Sequence, residues 1–253
     1  HKIREVMQIC DNITVLRAGR TVGSIPVANA TEEDISRFMV GRDVILKMNK
    51  KPAEFGDTLL KVTDLTYENK EGRKLLDHVS FSLKKGQILG IAGVEGNGQN
   101  ELAEAIFGFY SGVKGSILFD GKEILGKSIR AIRDDGISYI PEDRIKTGAA
   151  GNISLWGNMI ADIIDSPLLK KHGLLNYKNI HERTDKLISD FGVLCQNDDQ
   201  PIGMLSGGNM QKVVVAREFS SDPKLLIANQ PTRGIDVGAN EFIWKKIIEQ
   251  RDA

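Results

Sequence analysis

The sequence predicts an α/β fold in which helices cover a parallel sheet, with an inserted helical section. Residues 88–92 are apolar on both faces, and a glycine-rich loop (93–100) and a helix follow them. Two further short apolar runs, 137–140 and 225–228, are typical of strands buried on both sides. Residues 154–191 form a helical pattern with charged faces. Buried strands that alternate with helices favour this fold class.

The first 45 residues predict a helix, a hairpin and a second helix. Apolar residues at positions 3, 6, 7 and 9–10 have helical spacing, and strands over 13–16 and 21–25 flank the turn Ala18-Gly19-Arg20. Thr31 precedes three acidic residues, as at a helix N-terminus. Residues 46–57 contain lysines, a proline and a glycine, so we interpret them as a linker into the main domain.

From residue 58 onward, short strands come first and helices later. The pattern predicts strands over 60–65, 79–83, 88–92, 115–119, 137–140 and 225–228. It predicts helices over 101–107 and 209–219, with mostly helical structure over 154–191. The apolar run 88–92 is expected to be a buried strand directly before the glycine loop.

Composition excludes several classes of function. The 253 residues contain 34 Lys+Arg and 34 Asp+Glu, which gives no cationic excess for nucleic acid to bind. We therefore expect no nucleic-acid partner. The two cysteines have no CxxC spacing, so neither a disulfide framework nor a zinc site is indicated.

The glycine loop is the strongest local feature. Gly93, Gly96 and Gly98, with Asn97 between the last two, stand where a P-loop (GxxxxGK[ST]) wraps a phosphate with backbone N–H groups. Gln99 occupies the position of the phosphate-binding lysine, and Asn100 that of the Mg²⁺-binding hydroxyl. Alone, the loop fits equally well a glycine turn that lets a strand and a helix pack closely.

A second motif identifies the loop. Ser206, Gly207 and Gly208 are the second to fourth residues of the octet LSGGNMQK, which an apolar helix follows, and this octet resembles the signature motif of ATP-binding cassette (ABC) ATPases. LLIANQPT, residues 225–232, resembles the Walker B strand of that family, and the following RGID, which ends at Asp236, resembles its D-loop. The resemblance implies a P-loop NTPase (RecA-like) core with an antiparallel β subdomain, a helical subdomain at about 150–210, and ATP with Mg²⁺ as cofactors.

Further details resemble one branch, the fused double-cassette ATP-binding proteins of importers for simple sugars and nucleosides. Glu142 of YIPEDR stands where most cassettes have the Q-loop glutamine. In that branch, residues 58–253 correspond to a C-terminally truncated second cassette and residues 1–45 to the final stretch of the first. The implied partners are the first cassette of the same protein and membrane-spanning permease subunits. The implied location is peripheral, at the cytoplasmic face of the cell membrane.

The resemblance also assigns roles to individual residues. Asn100 and Asn229 occupy the Mg²⁺-associated positions, and Gln230 replaces the glutamate that acts as general base. We expect weak binding of ATP and Mg²⁺ at this site, with little or no hydrolysis by the isolated half. Ser206, Gly207 and Gly208 would complete the partner's hydrolytic site, and Asp236 would couple the two sites.

Other assignments remain open. Tyr67 is expected to stack on adenine, with cross-strand packing as the alternative. Trp156 and Met159 fall where the family's helical subdomain meets the permease, but we favour packing in the core for each. A non-transport ABC protein acting on ribosomes or DNA, and a purely regulatory nucleotide-binding module, are the alternative functions. The sequence does not reveal the cargo, for which a nucleoside is favoured over a sugar.

Overall fold

The computed structural model describes residues 3–43, 48, 50–171 and 173–252. Parts of the predicted linker (46, 47 and 49) lie outside the described residues. The chain forms two compact units, one of residues 1–51 with 232–249 and the other of residues 52–231 with 250–253. The predicted division into segments 1–45, 46–57 and 58–253 stays a prediction.

The first unit contains the predicted helix, hairpin and helix. Its elements are α1 (Ile3–Ile9), β1 (Asn12–Arg17), β2 (Arg20–Pro26), α2 (Glu32–Val40) and most of α8 (Val237–Asp252), which was not predicted. The Thr31 hydroxyl accepts a hydrogen bond from the Asp34 N–H and caps α2, as predicted. Ile13, Val15 and Ile35 form the buried centre, because β1 alternates buried and exposed residues and α2 packs against it.

An antiparallel sheet occupies one part of the second unit. Its strands, in the order β4-β3-β5-β6, are β3 (Thr58–Glu68), β4 (Lys74–Lys84), β5 (Lys114–Phe119) and β6 (Lys122–Glu123). The predicted strands over 60–65, 79–83 and 115–119 are confirmed, although β3 and β4 are longer than predicted. Leu65 and Ile117 are fully buried within the core that this sheet shares with α3 (Gln99–Ile106).

The parallel part consists of β7 (Ile137–Ile140) and β10 (Leu225–Ala228), both of which are predicted strands. They pair in register from Ile137 opposite Leu225 to Ile140 opposite Ala228, so the residues that follow the two strands emerge at the same edge. The neighbouring helices are α4 (Ile129–Asp134), which was not predicted, and α7 (Gly207–Ser220). Four consecutive residues of α7, 213–216, are buried, because this helix is enclosed on several sides.

The predicted buried strand over 88–92 is wrong in this structure. These residues form neither helix nor strand, and Ile88 and Ile91 are 45% and 52% exposed. A run that is apolar on both faces is buried only when neighbouring strands flank it. Among the described strands, β7 and β10 pair only with each other, so residues 88–92 have no strand partner there.

The predicted helical section over 154–191 is interrupted. Helices α5 (Leu155–Met159) and α6 (Tyr177–Asp190) are separated by a 3-10 turn at Pro167–Leu169 and by a short hairpin of β8 (Lys170–Lys171) and β9 (Leu174–Leu175). Pro167 lacks the N–H that a helix interior requires, and Gly173 has a φ of +82°. These two residues explain why one continuous helical pattern becomes two helices.

Candidate functional site

Two glycines shape the loop before α3. Gly98 caps α3 with a φ of +95°, and a Cβ added there would lie 2.7 Å from the carbonyl oxygen of Leu75. Gly96 has a φ of +87° with open space around it. L-residues rarely adopt either conformation, so both positions favour glycine. Positive φ values at these positions fit both the predicted phosphate-binding loop and the alternative glycine turn, so the phosphate-binding role stays a prediction.

The side chain of Gln99 folds back across this loop. Its Nε2 donates a hydrogen bond to the carbonyl oxygen of Val94 at 3.1 Å. It also occupies the space beside Gly93, where an added Cβ would lie 2.4 Å from Nε2. The N–H of Asn97 donates to the same Val94 carbonyl. The neutral side-chain amide of Gln99 thus bonds to the loop at the position where a P-loop has its phosphate-binding lysine.

Asn100 and Asn229 are in direct contact. Asn229 directly follows β10, and its backbone N–H donates to the Ile140 carbonyl at 2.9 Å. Its side-chain Nδ2 donates to Asn100 Oδ1 at 2.5 Å. The structure therefore brings together the two residues predicted for the metal positions, but as a hydrogen-bonded pair of amides.

Glu142 and Gln230 form a second pair at the same edge. Glu142 lies two residues beyond β7 and Gln230 two residues beyond β10, so the parallel register places them side by side. Gln230 Nε2 donates to Glu142 Oε1 at 2.9 Å. Gln230 has a φ of +46°, a conformation that non-glycine residues rarely adopt. The residue at the predicted general-base position is therefore an engaged hydrogen-bond donor.

Ser206 stands at the start of α7, as predicted. The residue is exposed, and its hydroxyl oxygen accepts hydrogen bonds from the backbone N–H of Asn209 at 3.4 Å and from its Nδ2 at 3.1 Å. Gly207 and Gly208 form the first turn of this 14-residue helix. The N-terminus of such a helix attracts anions through its N–H groups and its dipole.

The segment after Glu142 packs against the start of α7. A Cβ added at Gly207 would lie 2.6 Å from Arg144 Nη2, so a larger residue there would displace that guanidinium. The Asp143 carboxylate accepts hydrogen bonds from the N–H groups of Lys146 and Ile145, which hold the pKa of Asp143 below its usual value. Asp143 thereby fixes the turn that carries Arg144 to Gly207.

Sequence reasoning missed the buried carboxylate that anchors α7. Glu218 is fully buried and accepts hydrogen bonds from both terminal nitrogens of Arg133, from Arg217 Nε and from the Tyr139 N–H. Arg217 Nη2 also donates to the Gly148 carbonyl at 2.9 Å. This network joins α7 to α4, to β7 and to the turn after Glu142. A charged pair within the apolar run VVVAREF was the available signal.

Tyr67 pairs with β4, the strand that contacts the glycine loop. It pairs with Leu76 across β3 and β4, and the neighbouring Leu75 carbonyl faces Gly98. One face of the Tyr67 ring stacks on Tyr110, with centroids 4.5 Å apart and an interplanar angle of 16°. Burial and a hydrogen bond from the Tyr110 hydroxyl to Glu104 raise the pKa of Tyr110. Tyr110 thus supports Tyr67 as part of a rigid aromatic pair.

Asp236 belongs to the first unit. Its Oδ1 accepts a hydrogen bond from the Ala239 N–H at 2.8 Å, and its carbonyl accepts one from the Asn240 N–H, so it caps the start of α8. Its predicted coupling role stays a prediction.

Residues 76–233 match the family model described as "ABC transporter". The chain belongs to this family. It is 38% identical over 253 residues to the glucose import ATP-binding protein TsgD13 of Haloferax volcanii, covering 99% of this chain and 46% of that protein. It is 38% identical over 245 residues to the guanosine import ATP-binding protein NupO of Bacillus subtilis, covering 97% of this chain and 48% of that protein. The chain spans about half the length of these relatives.

The fold of solved ABC cassettes agrees with this assignment. A nucleotide-free ATP-binding cassette from an ABC transporter superposes with a TM-score of 0.62 at 24% identity, covering 78% of each chain. The predicted fold, a P-loop NTPase of the ABC cassette type with an antiparallel sheet, is confirmed. The family is one of ATPases that bind ATP with Mg²⁺. Among the described residues, no helix is long and apolar enough to cross a membrane.

The cassette contains an arginine-lined cavity between α4, α7 and the segment around α5. Its volume is about 380 Å³, and its charged lining is Arg130, Arg133, Arg217 and Asp162. Asp162 Oδ1 is buried and has no hydrogen-bond partner within the described residues. Arg130 is the exposed cation of this lining, because Arg133 and Arg217 are bound to Glu218.

Trp156 and Met159, for which the sequence favoured core packing over contact with the permease, differ in accessibility. Met159 is fully buried. Trp156 is half-buried, donates from Nε1 to Asp199 at 3.0 Å, and lies edge-on to Tyr177. Met159 therefore belongs to the core, while Trp156 keeps part of its surface accessible.

The cassette also brings His181 together with Asp198 and Asp199, an arrangement that the sequence did not predict. A hydrogen bond between the His181 ring and Asp198 raises the pKa of His181. Trp156 lies edge-on to the His181 ring, with centroids 6.0 Å apart.

Proposed function

We propose that this chain is the second cassette of a fused double-cassette ATP-binding protein, which energises the import of a simple sugar or a nucleoside. The observation that carries the proposal is the contrast between the two motifs. The signature residues at the start of α7 are all present, whereas neutral amides occupy the P-loop and Walker B positions: Asn100 bonds to Asn229, Gln99 to the Val94 carbonyl and Gln230 to Glu142. The import proteins named above, about twice as long as this chain, support the double-cassette assignment.

The chain's own Walker site is degenerate in this proposal. Phosphoryl transfer depends mainly on positioning and on positive charge that offsets the developing negative charge. Gln99 supplies no cation and donates to Val94 within the loop. Gln230 cannot accept a proton as a carboxylate would, and loss of a general base typically lowers the rate by about 10²- to 10⁴-fold. The isolated chain therefore binds ATP weakly and hydrolyses little or none of it.

The start of α7 serves the partner cassette instead. In ABC pairs, the signature of one cassette completes the ATP site of the other. Ser206 is exposed, and Gly207 and Gly208 present backbone without side chains at the positive end of α7. These three residues hold the phosphates of an ATP bound to the first cassette, whose Walker motifs carry out hydrolysis.

A matched pair of variants in the full double-cassette protein tests this role. We expect Ser206→Arg to lower the ATPase rate at least 100-fold, because a long side chain would fill the phosphate position. Ser189→Arg, an exposed serine on α6, is the control and should leave the rate unchanged. A Ser206→Arg protein that keeps the rate of the control would refute the assignment.

The arginine-lined cavity is the proposed contact for the permease, at the cytoplasmic face of the membrane. It lies beside α5, in the helical section where the family resemblance places that contact. Arg130, whose side chain is 51% exposed, suits an acidic side chain of a docked segment, whereas Arg133 and Arg217 are already bound to Glu218.

Co-purification with the permease subunits tests this contact. We expect Arg130→Glu to reduce the recovered permease, because it reverses a charge at the rim of the cavity. Lys178→Glu, an exposed charge reversal on α6, is the control. Equal recovery with both variants would contradict docking at the cavity. Transport assays with the full system, comparing nucleosides with simple sugars, decide the cargo.

A further inference from the structure

The residues at the metal positions do not fit Mg²⁺, although the family uses this ion. Mg²⁺ requires near-octahedral oxygen ligands at about 2.0–2.1 Å, which places neighbouring ligand oxygens about 2.9 Å apart. Asn229 Nδ2 and Asn100 Oδ1 are only 2.5 Å apart, so the N–H of Asn229 points to the lone pair that would bind the ion. If the Asn229 amide were reversed, two oxygens would be 2.5 Å apart, which is also too close.

The charge of the neighbouring groups does not compensate. Asn100 and Asn229 are both neutral, whereas a carboxylate at the position of Asn229 would place a negative charge beside the ion. The carboxylate among the predicted site residues of this unit is Glu142, whose Oε1 already accepts the Gln230 hydrogen bond at 2.9 Å. The site thus couples weakly to a divalent cation, while Gly96 and Gly98 keep the positive φ values of the loop before α3.

We infer that this cassette binds its adenine nucleotide without Mg²⁺, with the Asn100–Asn229 pair in place of the ion. The inference rests on the proposed nucleotide-binding role of the loop. In a metal-dependent site, the protein ligands of the ion add to nucleotide affinity. Here that contribution is absent, so adding Mg²⁺ changes the affinity little.

Binding of a fluorescent ATP analogue, mant-ATP, to the full chain tests the inference. The dissociation constant is measured in excess EDTA and in millimolar Mg²⁺ at about 0.15 M salt, which screens the long-range part of the difference in nucleotide charge. We expect the two constants to agree within about threefold. The variant Asn100→Ser/Asn229→Asp, which restores a hydroxyl and a carboxylate, should gain at least about tenfold in affinity from Mg²⁺, because one interaction with a charged group contributes roughly that factor.

The outcomes separate this inference from the proposed function. Binding of comparable strength in EDTA and in Mg²⁺ supports the inference. Binding by the native chain only in the presence of Mg²⁺ overturns it, but leaves nucleotide binding intact. No binding under either condition overturns the proposed nucleotide-binding role, and the inference with it.

Discussion

Substitution of Glu218 tests directly how α7, the helix that begins with the signature residues, is anchored to its neighbours. The buried Glu218 carboxylate accepts two hydrogen bonds from Arg133 at 3.0 and 3.1 Å, one from Arg217 at 2.9 Å and one from the Tyr139 N–H at 3.2 Å. Glu218→Gln keeps the shape but replaces one acceptor oxygen with a donor that faces a guanidinium. Two arginines then lose their counter-charge, although their side chains are only 21% and 10% exposed.

The expected loss in the free energy of unfolding is large. Removing one partner of a buried ion pair costs about 3–5 kcal/mol. Taking the lower figure, because Arg133 reaches solvent in part, we expect a loss of about 3 kcal/mol. For a unit of this size, that loss lowers the melting temperature by about 6–12 °C.

Urea and thermal unfolding, followed by circular dichroism and tryptophan fluorescence, measure this loss. Glu182→Gln on α6 is the matched control, because Glu182 is 66% exposed and its ion pair with Lys178 is long, at 3.8 Å. Such a surface pair contributes less than about 1 kcal/mol. A Glu218→Gln protein as stable as the Glu182→Gln control would refute the view that Glu218 anchors α7.

Three further predictions concern other contacts. NMR titration should give His181 a pKa above its usual value of 6.5, and Asp198→Asn should bring it back toward that value. The stability that this pair contributes should be present below pH 6.5 and decline as the pH rises through the raised pKa, which unfolding at several pH values can follow. Tyr67→Ala should weaken mant-ATP binding about tenfold and Tyr67→Phe hardly at all, because stacking of a base on an aromatic ring contributes about 1–3 kcal/mol. Gly98→Ala should also reduce mant-ATP binding, because its Cβ would lie 2.7 Å from a carbonyl oxygen at a φ of +95°; unchanged binding would contradict the need for glycine there.

The sequence predicted the elements that have a strong local pattern. The Thr31 cap, the strands β7 and β10, and the helix behind Ser206 all follow from periodicity and end signals over a few residues. The pairing of β7 with β10 was not predicted; the structure shows it, and its parallel register brings Glu142 beside Gln230.

Long-range features were not predictable in the same way. Residues 88–92 have the composition of a buried strand, but burial depends on neighbouring strands that local pattern does not specify. Glu218 and Arg133 are 85 residues apart in the chain, so no local signal reveals their contact. The direct pairing of Asn100 with Asn229, which spans 129 residues, likewise needed the three-dimensional arrangement.

ATP turnover by the purified 253-residue chain tests directly whether its own Walker site hydrolyses ATP. Phosphate release is measured in millimolar Mg²⁺, with a Gly98→Arg variant, whose loop is blocked, as the control for contaminating ATPases. We expect the two preparations to release phosphate at the same background rate. Sustained Mg²⁺-dependent hydrolysis by the native chain that the Gly98→Arg variant lacks would contradict it.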